Sequence, residues 1–510
     1  MKKSGERKQN KVTKISRNQV IKKLMKYKKY AILTALLILF QSCSNTDYLK
    51  NSQSILLKIQ PEEIVKYSFN EEYKTLGHNS EPWKTTNYNG KGDLWINKTT
   101  FLKQDTLTNS RDIKYTSKTD YKNDTLLYVD YGDKKLLPIT KKLYFEKIIN
   151  TARYSPITIL EYFIKNKSST KIKVSSVNAK YSLKMGTYNV NLFINKTTHL
   201  VEKITYLSYD ELYGDVTTSF KYSSYVANNN LVYPASIKVN KINGKVTENV
   251  KIVAAEKVTE NITLLEKPNV YQLTDKPSEE IIPEIKITKY NDYIHFIDLI
   301  HTDDRVMIVE FEDYMLVAEA PLNSKNGELI ISEVKKIAPS KSIKYFIFGH
   351  HHPHYLGGLR AFVHKEATIL CTNINKEYVK YIANASHSIK PDSLHLETKK
   401  IKTQVIADSL SLGKNNKMKI YFIGEKSAHT KDFLVHYFPN EKLLFQDDLC
   451  WIPKEGAVTK AGNRELGLYN AIKELNLKVD TIIQSWPITS HKVKTIIPFT
   501  DLEKSILIDN

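Results

Sequence analysis

The stretch "GHHHPHYLGG", Gly349–Gly358, places four of the chain's fourteen histidines within five consecutive positions. The apolar run "IKYFIF" just before it predicts a buried strand. After it, "YLGGLRAFVHKE" predicts a helix that leads to a second strand, "ATILC". This order is typical of an α/β arrangement, in which ligand-binding residues occupy loops just beyond strand ends. The histidines therefore stand where a binding site is expected.

The spacing within this stretch favours a metal site. On an extended loop, residues two positions apart project to the same side, so His350 and His352 can reach one ion. A catalytic zinc has three protein ligands and one open position. His429 is the candidate for the third ligand, because it also follows a strand-like run, "MKIYFI". Two further runs, "FLVHYF" and "KLLF", then lead to the carboxylates of Asp447 and Asp448.

From about Ile294 to Leu507 the sequence resembles the metallo-β-lactamase-fold hydrolases. The resemblance rests on "AEAPLN", on a strand that ends in a histidine-rich loop, on "GGLRAFV", and on "PNEKLLF" with acidic residues soon after it. It implies an αββα sandwich, in which two β-sheets pack together between layers of helices. The fold class expected for the whole chain is α+β, with an antiparallel β-rich N-terminal domain before this sandwich.

The family's metal-binding motif implies a set of ligands in this chain. The motif reads His-x-His-x-Asp-His-x-Gly-Gly and is followed by a third histidine, an aspartate and a last histidine. The first three histidines correspond to His350, His352 and His429. The aspartate, which bridges two metals in the family, corresponds to Asp448. These four residues are the metal ligands that the resemblance implies.

Three other positions depart from the motif. Its first aspartate position holds His354, the next histidine position holds Tyr355, and the last histidine position falls on Trp486, with His491 five residues later. Two zinc ions close together need anionic ligands, and only Asp448 is left as a matched acid. We therefore expect one zinc ion at most, with Tyr355 and Trp486 filling the vacated volume.

The sequence leaves two alternatives to a single zinc open. In one, nearby nitrogen, carboxylate and thiol groups rebuild a second metal site. The residues that carry these groups are His351, His354, His491, Asp447 and Cys450. Cys450 shares a face with Asp448 only if the strand continues past both, and it is otherwise expected to be a buried small apolar residue. In the other alternative, the histidines form a hydrogen-bonded cluster without metal.

The function expected from these residues is hydrolysis with one zinc ion. Three imidazoles and a water form an open catalytic site, where Asp448 accepts a hydrogen bond from the water and acts as general base. The substrate would be a small molecule with an ester, thioester, lactone or amide bond. The alternative is a non-catalytic envelope lipoprotein that binds a ligand through this pocket or through the β-rich domain.

The N-terminal half has the patterning of β-structure. "TYNVNLFIN" alternates polar and apolar residues as a half-buried strand does, and Asn243–Gly244 predicts a two-residue hairpin. Between Lys142 and Asn166 the alternation weakens, and one or two helices broken near Pro156 are expected. A later segment combines three prolines with little periodicity, which is typical of a linker. The expected limits are residues 43–265 for the β-rich domain, 266–286 for the linker and 287–510 for the sandwich.

The start of the chain predicts export. Residues 1–30 contain twelve lysines and arginines, and the following "AILTALLILF" is too short to span a bilayer but suits a secretory signal. The Ser42–Cys43 junction is typical of a bacterial lipoprotein, so residues 1–42 are expected to be a signal peptide and Cys43 to be lipidated. A leader starting at Met25 would also be complete. The expected location is a membrane of a bacterial cell envelope, with an uncleaved anchor as the alternative.

The charge distribution argues against a nucleic-acid partner. The chain carries +21, of which the first 30 residues contribute +11, so the rest carries only +10. That remainder indicates a mildly basic, lysine-rich surface rather than a phosphate-binding groove. The sequence also lacks a phosphate-binding glycine loop, a dinucleotide fingerprint and a Gly-x-Ser-x-Gly elbow. The expected partners are a small molecule and, through the N-terminal lipid, a membrane.

Overall fold

The computed structural model describes residues 47–56, 63–97, 100–122, 125–130, 135–138, 141–258, 272–273 and 282–508. The predicted signal peptide, Cys43 and most of the predicted linker lie outside these residues. Across the described ranges, no helix has both the length and the apolar character that crossing a membrane requires.

The N-terminal part forms one sheet of fourteen strands, antiparallel except for its last pair. In chain order its strands are β1 (Ile64–Thr75), β2 (Thr86–Ile96), β3 (Thr100–Asn109), β4 (Lys114–Lys122), β5 (Thr125–Asp130), β6 (Lys135–Pro138), β7 (Lys171–Val174), β8 (Asn178–Met185), β9 (Tyr188–Asn195), β10 (Val201–Asp210), β11 (Gly214–Asn228), β12 (Leu231–Lys241), β13 (Val246–Val258) and β14 (Gln272–Leu273). Strands β1 and β13 pair in the middle, and β14, which falls inside the predicted linker, pairs with β6.

Helices bury one face of this sheet. They are α1 (Tyr48–Leu56), α2 (Lys141–Asn150) and α3 (Ile157–Lys165). Leu49 of α1 and Phe163 of α3 are fully buried in one core with strand residues such as Tyr67 and Ile204. Every second residue of β9 is buried, which is the alternation that its sequence predicted. The expected antiparallel β-rich N-terminal region is confirmed, and α3 begins directly after Pro156, where the helical segment was expected to break.

Two local predictions need correction. The turn at Asn243–Gly244 is longer than two residues, because β12 ends at Lys241 and β13 starts at Val246. The helix predicted over "YLGGLRAFVHKE" is split by its glycine pair. A Cβ atom at Gly357 would lie 2.3 Å from the backbone of Leu322, so the chain approaches too closely there for any larger residue.

The C-terminal part contains two sheets. The first has seven strands: β15 (Ile285–Lys289), β16 (Ile294–Leu299), β17 (Asp304–Glu310), β18 (Tyr314–Ala318), β19 (Ser342–Ile347), β20 (Thr368–Cys371) and β21 (Lys402–Val405). The second has six: β22 (Ser409–Leu412), β23 (Met418–Phe422), β24 (Leu434–Phe438), β25 (Leu443–Gln446), β26 (Thr481–Gln484) and β27 (Ile496–Pro498). The helices are α4 (Ser324–Ile337), α5 (Pro353–Leu356), α6 (Leu359–His364), α7 (Lys376–Asn384), α8 (Ser393–Leu396), α9 (Asn463–Glu474) and α10 (Phe499–Leu507). Short 3-10 turns occur in both parts of the chain. They lie at Thr151–Arg153, Lys167–Ser169 and Ile242–Gly244 in the N-terminal part and at Lys414–Asn416 and Gly424–Ser427 in the C-terminal part.

The positions of the buried residues show that these elements form four layers. One core lies between the two sheets, where Phe296 of β16 stacks on Phe445 of β25 with ring centroids 6.0 Å apart. A second core joins the outer face of the seven-stranded sheet to α4, α6 and α7. A third joins the outer face of the six-stranded sheet to α9 and α10. This layer order confirms the αββα sandwich that the sequence resemblance implied.

The N-terminal sheet also contacts the sandwich directly. Asp215, at the start of β11, accepts hydrogen bonds from the hydroxyls of Ser386 and Ser388 and from the backbone N–H of Ile389. The hydroxyls of Tyr213 and Tyr378 lie 2.9 Å apart. These buried or half-buried polar contacts fix one end of the β10–β11 hairpin against the loop that follows α7.

Candidate metal centre

Three histidines from two loops meet at one edge of the sandwich. His350 and His352 follow the end of β19, and His429 follows β23 and the short 3-10 turn after it. One ring nitrogen from each residue lies within 4.8 Å of the others. Nε2 of His350 is 2.9 Å from Nδ1 of His352, and the rings of His350 and His429 have centroids 4.8 Å apart. The structure thus brings together the three histidines that the sequence singled out.

The outer nitrogens of two of these rings face hydrogen-bond acceptors. Nδ1 of His350 is 2.6 Å from Oδ2 of Asp447, and Nε2 of His352 is 3.0 Å from the carbonyl oxygen of Asn79. A proton on each outer nitrogen leaves the inner nitrogens with lone pairs. In those tautomers the two inner nitrogens, which are 2.9 Å apart, present lone pairs to each other. A cation between the rings resolves this repulsion, so the donor set fits a metal ion.

The carboxyl group behind His350 lies close to a second buried carboxyl group. Burial is the main cause that raises the pKa of both Asp447 and Glu319 well above the ordinary carboxyl value, and the charge of Glu319 adds to the shift of Asp447. Oδ2 of Asp447 is the oxygen that faces His350. Glu319 is fixed in turn by the backbone N–H of Gly349, which donates to it at 3.0 Å.

The inner imidazoles are neutral at ordinary pH. Burial, followed by the neighbouring imidazoles, holds the pKa of His350 well below its usual value. Burial is also the main cause that lowers the pKa of His352 to about 3. Only a neutral imidazole has the lone pair that a metal requires, so both residues are in their ligating form.

Asp448 lies against the third histidine. Its Oδ2 is 3.3 Å from Nε2 of His429 and 3.0 Å from a guanidinium nitrogen of Arg464. Burial alone would raise the pKa of Asp448, but the hydrogen bond and charge of His429 and the charge of Arg464 lower it below the ordinary value. The carboxylate is therefore ionised at neutral pH and can accept a proton.

The positions that depart from the family motif are occupied by packed side chains. His354 turns to Asp304, with Nδ1 2.9 Å from Oδ1, and its ring lies 5.4 Å from that of Trp486. Burial would lower the pKa of His354, but the hydrogen bond and charge of Asp304 raise it. Tyr355 is buried with its ring 4.4 Å from that of His350. The structure therefore places His354 outside the group of three and fills the neighbouring volume with Tyr355.

The other candidates for a rebuilt second site point elsewhere. His351 faces Asp432, with Nδ1 3.0 Å from Oδ1. Strand β25 ends at Gln446, so the condition under which Cys450 would share a face with Asp448 is not met. Cys450 is instead buried in the core beneath α9, as a small apolar residue would be. His491 is exposed, with its ring 5.5 Å from that of Trp451. Among the residues that the structure describes, His350, His352 and His429 form the one group of three potential ligands.

Sequence reasoning missed a contribution from the N-terminal sheet. The loop between β1 and β2, "LGHNSEPWKT", brings the Asn79 carbonyl and the His78 ring to the site. Nδ1 of His78 is 3.4 Å from Nδ1 of His352, although 273 residues separate Asn79 from His352. A histidine in a polar loop is the only signal that the sequence offers for this contact, and it does not identify the partner.

Somewhat less than half of the chain is similar in structure to metallo-β-lactamases. A metallo-β-lactamase from Pontibacter korlensis matches with 14% identity and a TM-score of 0.32, over 43% of this chain and 96% of that one. The metallo-β-lactamase FIM-1 from Pseudomonas aeruginosa, in its mono-zinc form, matches with 17% identity and a TM-score of 0.32, over 44% and 95%. One from Hirschia baltica matches with 16% identity and a TM-score of 0.31, over 43% and 95%.

These likenesses concern the fold alone. A scan against protein-family models gives no match, and a search of curated proteins gives none either. The candidate centre is therefore described by its own geometry: three imidazoles with ring nitrogens within 4.8 Å of one another, beside the ionised carboxylate of Asp448, at a loop edge of an αββα sandwich.

Proposed function

We propose that the protein is a zinc-dependent hydrolase that holds one zinc ion on His350, His352 and His429. The observation that carries the proposal is the convergence of three ring nitrogens within 4.8 Å, two of them turned inward by acceptors on the far side of the ring. Three imidazoles are a donor set that zinc commonly takes in catalytic sites. When bound, zinc would act as a Lewis acid and lower the pKa of a coordinated water to about 7.

Asp448 is the residue that would move the proton. Its carboxylate is ionised and buried, and it lies beside His429, so it can accept a hydrogen bond from a water at the centre and then take its proton as general base. Arg464 neutralises part of the carboxylate charge and fixes its orientation. The bond cleaved belongs to an ester, thioester, lactone or amide, since each has a carbonyl carbon that such a water attacks.

Replacement of Asp448 by asparagine tests this role. Asp448→Asn keeps the shape of the side chain but removes the base, so we expect hydrolysis to fall about 100-fold or more while the zinc content stays unchanged. Asp480→Asn is the matched control, because Asp480 is an exposed carboxylate paired with Lys442. Kinetics on a panel of ester, thioester, lactone and amide substrates, with zinc analysis of each variant, gives the answer. Equal activity of Asp448→Asn and wild type would contradict the mechanism.

A second candidate function is ligand binding without catalysis. The N-terminal sheet and its helices enclose a cavity of about 360 Å³, large enough for a small molecule. Its wall combines the aromatic rings of Tyr73 and Phe101 with the charged groups of Lys103, Lys147 and Arg153. A wild-type protein that takes up no zinc and hydrolyses none of the panel would favour this function over the first.

The location proposed for either function is the surface of a bacterial envelope membrane. The support is the leader-like N-terminus and the Ser42–Cys43 junction, both in the sequence. A lipid on Cys43 would tether both the zinc centre and the N-terminal cavity to that surface. Stable tethering needs more than one acyl chain, because a single chain gives only marginal binding.

A further inference from the structure

Two tryptophans lie directly beside the acids of the candidate metal centre. The indole N–H of Trp451 donates to the backbone carbonyl of Asp448 at 2.8 Å. The backbone N–H of Trp486 donates to the carbonyl of Asp447 at 3.0 Å. The two indole planes are inclined at 74°, with ring centroids 5.8 Å apart. Both tryptophans are therefore attached to the short segment that carries the proposed general base.

The ring of His491 contacts both indoles, and we call these three residues the aromatic cluster. Its centroid is 5.5 Å from that of Trp451 and 5.4 Å from that of Trp486. His491 is exposed, and both tryptophans are only half-buried. Sites for small molecules are lined mainly by apolar and aromatic side chains, with a few polar groups among them. Three accessible rings next to an ionised carboxylate have that composition.

The loop that joins Trp486 to His491 is held against the sandwich. The carboxylate of Asp303 accepts hydrogen bonds from the backbone N–H groups of Thr489 and Ser490, at 2.6 and 3.2 Å. Because the loop is fixed in this way, the aromatic cluster is ordered before any ligand arrives. A preformed surface loses little conformational entropy on binding, which favours affinity.

We infer that the aromatic cluster is a substrate subsite, and that it binds substrates that carry a flat aromatic ring. The inference rests on the hydrolase of the proposed function and names its substrate class. Aromatic rings gain stabilisation from edge-to-face or offset contacts with one another, beyond what the burial of their area contributes. A saturated ring of the same size lacks this gain. Trp486 stands where the family motif has its last histidine, so the subsite takes the place of a metal ligand.

Equilibrium binding tests the inference without requiring turnover. The probes are phenylacetate, which has a flat ring, and cyclohexylacetate, which has a puckered ring with the same number of carbons. NMR titration of the wild-type protein should give a Kd about 2- to 12-fold lower for phenylacetate. Trp451→Leu should abolish this preference, and His491→Ala should reduce it. Trp95→Leu and His395→Ala are the matched controls and should keep it, because they change a half-buried tryptophan and an exposed histidine outside the cluster.

The outcomes separate this inference from the proposed function. Equal Kd values for the two probes in the wild-type protein, or no binding of either, would overturn the inference. A preference that persists unchanged in His491→Ala and Trp451→Leu would also overturn it, and the exposed position of His491 keeps the test decisive if Trp451→Leu does not fold. Zinc analysis of the same samples tests the other claim. A protein that prefers phenylacetate but takes up no zinc would support the subsite and contradict the zinc hydrolase.

Discussion

The absence of a side chain at Gly349 leaves room for the carboxylate of Asp447, which orients His350. A Cβ atom at this position would lie 2.2 Å from Oδ2 of Asp447, which is the oxygen that accepts a hydrogen bond from Nδ1 of His350. No side chain other than hydrogen fits there unless Asp447 moves. The glycine at the head of the histidine stretch is therefore part of the metal centre, although it offers no ligand.

Gly349→Ala should accordingly weaken zinc binding without removing a ligand. We expect the zinc Kd to rise about 10- to 100-fold, as for other outer-shell changes. The overpacking should also lower the free energy of unfolding by about 1–3 kcal/mol. Calorimetric zinc titration and urea unfolding measure the two effects. Gly77→Ala is the control, because the nearest atom to its added methyl is 3.9 Å away. A zinc Kd equal to that of wild type would contradict this account of Gly349.

At the residue scale the sequence predicted the convergent histidines but not what surrounds them. His350 and His352 were predictable because their spacing and the strand before them are local features. His78 and Asn79 were not, since their contact with His352 depends on how the N-terminal sheet lies on the sandwich. The turn of His354 toward Asp304 was also missed, because Asp304 is 50 residues away in the sequence and no local pattern brings the two together.

At the element scale, β24 carries a buried histidine outside the metal centre. All five residues of this strand are buried, and neither ring nitrogen of His436 has a hydrogen-bond partner. Burial lowers the pKa of His436 to about 3. This pKa is below that of a histidine in the unfolded chain, so the free energy of unfolding depends on pH. It is at its full value above about pH 6.5 and decreases as the pH falls below 6.5.

His436→Leu should remove this pH dependence. Between pH 7 and pH 5 the buried imidazole costs the wild-type protein about 2 kcal/mol of unfolding free energy, because the unfolded chain binds a proton that the folded chain excludes. The leucine variant should lose about 2 kcal/mol less over the same interval. Urea unfolding of the metal-free proteins at both pH values measures the difference. Identical losses in the two proteins would show that His436 is not held neutral.

Whether a segment is a helix or a strand was predictable where its periodicity was strong. The first and last residues of each helix or strand were less predictable. The alternation in β9 and the helical segment on either side of Pro156 were both recognisable in the sequence. The sequence pattern predicts one helix that runs through Gly357–Gly358. It does not predict the break there, because the residues that cause the break lie elsewhere in the chain. At Gly358 an added Cβ would be 2.8 Å from the Cβ of Ala320, a contact that no local pattern reports.

At the scale of the whole molecule, the N-terminal sheet is part of the site. Its β1–β2 loop supplies the acceptor for His352, and its β10–β11 hairpin binds the loop after α7. The αββα sandwich was predictable from motifs within one half of the chain. The contribution of both halves to the site was not predictable, because a contact between the two halves leaves no periodic pattern in the sequence of either half.

Cys43→Ser tests the proposed attachment of this molecule to a membrane. If Cys43 carries the lipids, the serine variant should be released from the membrane fraction or accumulate as the uncleaved precursor. Fractionation followed by mass determination of the mature N-terminus distinguishes these states. A serine variant with the same mass shift and the same membrane association as wild type would mean that the anchor lies elsewhere.

The central claim is that three convergent imidazoles hold a single zinc ion, and metal analysis tests it most directly. After zinc loading and removal of loosely bound metal, the wild-type protein should retain one zinc per chain. His350→Ala, which removes a buried inner nitrogen, should retain none. Retention of two zinc ions by the wild-type protein, or of the same single zinc by His350→Ala, would contradict the account.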